Sequence, residues 1–158
     1  MRQLIKLPND LLRQKSKPVG VIDSAVKELA EEMIEFILQR QDVKIKPVGL
    51  SAIQLGEPVR MFAFVANPEA GRGVSIDTNI IINPELVYMK GTRRVTEACL
   101  SVPGKTFELK RAKIVKVRGL TLDGQLRSFR GRDFMAQVFQ HEYDHLEGIL
   151  VDQRSKEI

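Results

Sequence analysis

The chain has 158 residues, 43% apolar and 28% charged, which describes one domain, residues 1–158, large enough to bury a core. Its single cysteine excludes an internal disulfide and suits a reducing compartment; with no charged start followed by a long apolar run to mark a signal peptide or membrane span, the cytoplasm is the expected location and no membrane partner is expected. A net charge of +5 favours a polyanionic neighbour such as the ribosome surface, yet the scattered Arg93, Arg94, Lys110, Arg111, Arg127, Arg130 and Arg132, with few aromatics between them, argue against direct sequence-specific recognition of nucleic acid.

Residues 1–20 carry Leu4, Ile5, Leu7, Leu11 and Leu12 between Pro8 and Pro18, a pattern of loops and short turns lying over a core. From Val26, the positions Leu29, Ala30, Met33, Phe36 and Ile37 follow helical spacing behind Asp23 and Ser24 as capping candidates, so an amphipathic helix of about four turns is expected to pack on the core. The stretch Pro47-Val48-Gly49-Leu50-Ser51-Ala52-Ile53-Gln54-Leu55-Gly56 breaks that period with small residues. Small side chains let backbone pass close to a ligand, and Gln54 brings an amide able to donate and accept; the same composition also suits an ordinary turn.

Strand-like runs follow at Val59 to Ala66, Asn79 to Asn83, Lys113 to Gly119 and Leu126 to Phe129, with a loop from Asn67 to Thr78. Val115 and Val117 alternate with Lys116 and Arg118, the mark of antiparallel strands with one wet face, and Leu122-Asp123-Gly124-Gln125 is a hairpin turn signal.

The last periodic segment is the most specific. Phe134, Val138, His141 and His145 recur on one helical face, with Asp133 as the N-cap candidate and Gly148 as the stop. The chain's only two histidines stand four apart as His-Glu-x-x-His, so both imidazoles can meet one metal ion while Glu142 reaches a water beside it. Two ligands leave the site incomplete. A third histidine six residues after His145 is excluded, because Val151 stands there. A glutamate on a following helix would need more than the thirteen residues after His145. Upstream, Cys99 offers a thiolate suited to zinc or ferrous iron, although a lone cysteine is more often a small buried hydrophobe.

Three separated segments, Gly49-Leu50-Ser51-Ala52-Ile53-Gln54, Glu97-Ala98-Cys99-Leu100-Ser101 and Gln140-His141-Glu142-Tyr143-Asp144-His145-Leu146-Glu147-Gly148, occur in that order, together with Leu7-Pro8, Lys17-Pro18-Val19 and Ile82-Asn83-Pro84. In these the chain resembles the peptide deformylases over essentially its whole length. The resemblance implies an α+β fold of antiparallel β-sheets wrapped around a central C-terminal helix carrying the HExxH motif. It implies one divalent metal ion per chain, ferrous iron in many members and zinc or nickel in others, held by Cys99, His141 and His145. The substrate would be the N-formyl-methionyl end of a nascent polypeptide and the products formate and a free amino terminus. Glu142 would be the acid/base, with the Gln54 side chain and the Leu100 backbone N–H donating to the oxyanion. The Gly49 backbone would hold the peptide as an added strand, and Val48, Val95, Phe134 and Val138 would line the methionine pocket, with Gln137 polar where an aliphatic residue often stands. Glu97 would pair with Arg111 and orient a histidine ligand.

The chain departs from the family pattern at Pro47, where a glycine is usual, at Ala98, and in lacking the long C-terminal helix of many bacterial members. A zinc endopeptidase would share His141, Glu142 and His145 without the cysteine, and an inactive metal-binding relative would keep all three ligands; these are the competing readings.

Overall fold

The computed structural model describes residues 1–41 and 44–155. Strands β1 (Gly49–Ser51), β2 (Met61–Val65), β3 (Thr78–Lys90), β6 (Ile114–Leu120) and β7 (Leu126–Arg132) form one antiparallel sheet in the order β1-β2-β3-β6-β7. Strands β4 (Arg93–Cys99) and β5 (Val102–Arg111) form a separate antiparallel pair. Helix α1 (Ser24–Leu38) covers one face of the large sheet, α2 (Phe134–Leu146) lies against the other, and the short α3 (Val151–Ser155) packs on β4 and β5.

The run Met61-Phe62-Ala63-Phe64-Val65 is apolar without alternation because β2 is covered on both sides and every residue in it is buried. Met61, Ala63 and Val65 pack with Leu29, Met33, Phe36 and Ile37 of α1. Phe62 and Phe64 face the other way, onto Val115, Val117 and Phe139, with the Phe64 and Phe139 rings edge-to-face at 4.9 Å between centroids. A third cluster gathers Leu12, Val95, Cys99, Val102, Leu109, Leu150 and Val151 around the small sheet.

The expected α1 is observed, with the Asp23 side chain accepting from the Val26 N–H. The hairpin turn is also where the sequence placed it, with Gly124 at φ 76° between β6 and β7. Two strand expectations need correction. Asn79 to Asn83 is only the first part of β3, which runs on to Lys90; Pro84 is tolerated because the register shifts between Ile82 and Glu85, where no ladder bond is required of it. The β4–β5 hairpin was not anticipated at all. Its inward positions on β4 are Val95, Glu97 and Cys99, so a carboxylate occupies a core position and hides the alternation.

Candidate metal centre and peptide groove

Helix α2 is fixed before its functional residues are considered. The Gln140 amide closes a pair of hydrogen bonds with the backbone of Ala112, accepting from its N–H at 2.9 Å and donating to its carbonyl at 3.1 Å. Arg60 donates to the Leu146 carbonyl at 3.2 Å, satisfying the helix C-terminus. Asp133 precedes the helix, as expected, but its side chain makes no capping bond; at φ 52° it faces Arg93 instead, 3.5 Å away.

On the buried side of α2, His145 Nε2 lies 3.4 Å from Cys99 Sγ, and ligating atoms of Cys99, His141 and His145 all fall within 4.8 Å of one another. A thiolate with two imidazoles suits zinc or ferrous iron. Burial, reinforced by the positive charges of His141 and Arg111, holds the His145 ring well below its ordinary pKa, so it is neutral and free to ligate; its Nδ1 is buried with no hydrogen-bond partner. The residues therefore fit a metal ion. A short helix, α3, does follow α2 and packs on β4 and β5, but it brings no carboxylate to this group among the described residues.

His141 is oriented from behind. Its Nδ1 lies 2.8 Å from Glu97 Oε1, and the same carboxylate accepts two 2.8 Å bonds from Arg111. Arg111 also donates to Asp144 at 2.6 Å, and Asp144 accepts from Arg154 of α3. The Glu97–Arg111–Asp144 part of this chain is buried, with Arg111 5% and Glu97 4% exposed, which rules out a surface pairing of those two. Burial alone would raise the Glu97 carboxyl; Arg111 and His141 overcome it and hold the group at about 2. In the metal-free site, burial works against a proton on His141 as well, but Cys99, Glu97 and Glu142 raise that ring well above its ordinary value.

Glu142 and Gln54 meet through Ser51. The Ser51 hydroxyl lies 2.8 Å from Glu142 Oε2, and the Ser51 backbone N–H donates to Gln54 Oε1 at 3.0 Å. That bond turns the Gln54 Nε2 outward to Ser101 Oγ at 3.1 Å and towards Cys99 Sγ at 3.9 Å. Gly49 explains the close approach of helix and strand: a Cβ there would fall 2.5 Å from Glu142 Oε1. Burial raises the Glu142 carboxyl above its ordinary value, against the lowering pull of His141 and of the Ser51 hydroxyl.

A groove of about 520 Å³ opens on this group. Gly49, Gln54, Leu100, Cys99, His141 and Glu142 line it, as do the expected pocket residues Val48, Phe134, Gln137 and Val138. Gln137 spans from α2 to β4, donating to the Thr96 carbonyl at 3.1 Å. Val95 does not belong to the wall. It packs instead with Leu12 and Leu109 in the third core cluster, because it shares the inward face of Glu97 and Cys99 but stands nearer the start of β4, away from the cysteine end. Arg111 and His145 lie behind the lining, Arg111 against Glu97 and His145 against Cys99. Pro47, buried at the groove edge, leaves the pairing of Gly49 with Phe64 intact.

Sequence reasoning missed Ser51, Ser101, Asp144 and Arg154. Ser51 and Asp144 stand inside segments already singled out, but their spacing carries no sign of a partner. Residues 1–20 were also read as a covering loop. The Ile5 N–H donates to the Gln54 carbonyl at 2.8 Å, Leu7 N–H donates to the Ser101 carbonyl at 2.9 Å, and the Ser101 hydroxyl donates back to the Ile5 carbonyl.

An α+β scaffold presenting a Cys-His-His group beside a buried glutamate has the architecture of a metallohydrolase. The model of the polypeptide deformylase family matches residues 1–158. A peptide deformylase from Bartonella tribocorum is 38% identical over 155 residues, covering 95% of this chain and 82% of that protein. The solved structure of a peptide deformylase from Legionella pneumophila superposes with a TM-score of 0.86 at 30% identity, covering 98% of this chain and 85% of that one. The peptide deformylase from Thermotoga maritima gives 0.82 at 32% identity, covering 98% and 97%. The chain belongs to the polypeptide deformylase family, metal-dependent enzymes that act on formylated peptides.

Proposed function

We propose that this protein, as a single catalytic domain over residues 1–158, removes the formyl group from the N-terminal formyl-methionine of newly made polypeptides and releases formate. The observation that carries the reading is the convergence of Glu142 and the Gln54 amide, both held by Ser51, on the Cys99, His141 and His145 group. One divalent ion per chain, ferrous iron natively with zinc or nickel as substitutes, would be held by those three residues and supplies a Lewis acid that activates water and polarises a carbonyl.

Glu142 takes the proton of the attacking water as its oxygen bonds to the formyl carbon. The charge that develops on the formyl oxygen receives the Gln54 Nε2–H and the Leu100 backbone N–H. Glu142 then passes its proton to the amine nitrogen as the C–N bond breaks, leaving formate and a free amino terminus. A carboxyl raised by burial is suited to both transfers. The open edge at Gly49 takes the peptide as an added strand, and Val48, Phe134 and Val138 receive the first side chain, with Gln137 at the mouth. Glu97 and Arg111 keep the His141 ring in its ligating orientation.

The cytoplasm, beside the ribosome surface, is the setting in which such a substrate arises. No described helix is long and apolar enough to cross a membrane. The test is formate release from a short formyl-methionyl peptide by protein loaded with iron, nickel or zinc, run beside a casein-cleavage assay. Formate without casein cleavage is the expected result. Casein cleavage without formate would support an endopeptidase, and neither activity with metal bound would indicate an inactive relative.

A further inference from the structure

The charges around the groove are divided by depth. Its floor carries Glu97 and Glu142, both buried and both engaged, one by Arg111 and the other by Ser51. Its rim carries Lys6, Lys46 and Lys105, all exposed, none with an acidic partner among the described residues. The three come from separate segments. Lys6 lies on the N-terminal stretch beside Ser101, Lys46 precedes β1, and Lys105 follows the β4–β5 turn.

The groove runs between two strand edges with no neighbour in their sheets, β1 at the end of the large sheet and β4 in the two-stranded one. A peptide laid along such an edge is extended, and its side chains alternate between floor and rim. Only the first enters the pocket beside Val138. The next few would lie towards the rim that carries the lysines, where exposed charges act over a screening length of about 10 Å at 0.1 M salt.

Resting on the function proposed above, we propose that the lysine rim makes this groove selective for formylated peptides with acidic side chains in the residues that follow the first. Lys6, Lys46 and Lys105 are the residues that set this preference. They act through the field at the groove mouth and leave the bond-breaking step untouched.

The test compares formyl-Met-Ala-Asp-Glu with formyl-Met-Ala-Lys-Lys on the metal-loaded full chain, with formyl-Met-Ala-Ser as the neutral reference. At about 20 mM salt the acidic peptide should exceed the basic one in kcat/KM by roughly three- to tenfold, through KM. The ratio should shrink at about 0.5 M salt, and fall towards one in the Lys6→Gln/Lys46→Gln/Lys105→Gln protein. Equal values for the two peptides, or a preference that survives both high salt and the triple substitution, would overturn the inference. Absence of formate from the neutral peptide would instead contradict the proposed function; binding of the acidic and basic peptides, read by calorimetry, then still decides whether the rim discriminates.

Discussion

At Gly49 a Cβ would meet Glu142 Oε1 at 2.5 Å, so a side chain there must push that carboxylate aside. Gly49→Ala should therefore displace the carboxylate and lower kcat by about 10²-fold while the protein keeps its metal, because misplacing a catalytic group by an ångström has that order of effect. Metal content and turnover measured side by side check that, and in the same measurements Glu142→Ala should keep the metal and lose about 10²–10⁴ in rate. Cys99→Ala should lose high-affinity metal binding altogether, since two imidazoles form an incomplete site; stoichiometric metal in the mutant, seen by mass spectrometry of the intact protein, would remove Cys99 from the centre. The Cys-His-His group and the glutamate beside it were legible in the sequence because their side-chain types are scarce and chemically specific, with two histidines and one cysteine in the whole chain. Ser51 and Ser101 were not, because they act by orienting Gln54 and Glu142, and a common hydroxyl carries no mark of its partner.

Between elements, the Glu97–Arg111–Asp144–Arg154 chain ties β4, β5, α2 and α3 together behind the histidines. Glu97 is held at about 2, below its ordinary value of 4.5, so it contributes stability that is fully present above about pH 4.5 and is lost as pH falls towards about 2. Urea unfolding of metal-free protein should show the wild type losing stability as pH falls from about 4.5 towards about 2. Glu97→Gln should be less stable at about pH 6 and flatter over that acid range. Parallel slopes for the two proteins would place the acid sensitivity elsewhere. This hairpin is also where pattern reading failed. Helix α1 and the HExxH helix announce themselves by an apolar stripe, and β2 by an unbroken apolar run, but β4 buries a carboxylate that Arg111 and His141, fourteen and 44 residues away, make tolerable. No local window contains all three residues.

Over the whole molecule, the first sixteen residues connect all three motif segments. Ile5 bonds the carbonyl of Gln54, Leu7 that of Ser101, and Ser16 that of Leu146. Backbone bonds of this kind leave almost no trace in composition, which is why the segment reads as a covering loop. Gly49, Leu100, Gln54 and Glu142 thus come together in the lining of one groove. On the proposed function a formyl carbon, bearing only hydrogen, would approach the metal group between these residues, where an acetyl methyl would be crowded out. The most direct test of the proposed function is formate and acetate release from matched formyl-Met and acetyl-Met peptides by the metal-loaded protein. The account predicts formate from the first and no acetate from the second, with turnover lost in Glu142→Ala. Equal rates on the two peptides, or formate release that persists undiminished in Glu142→Ala, would contradict it.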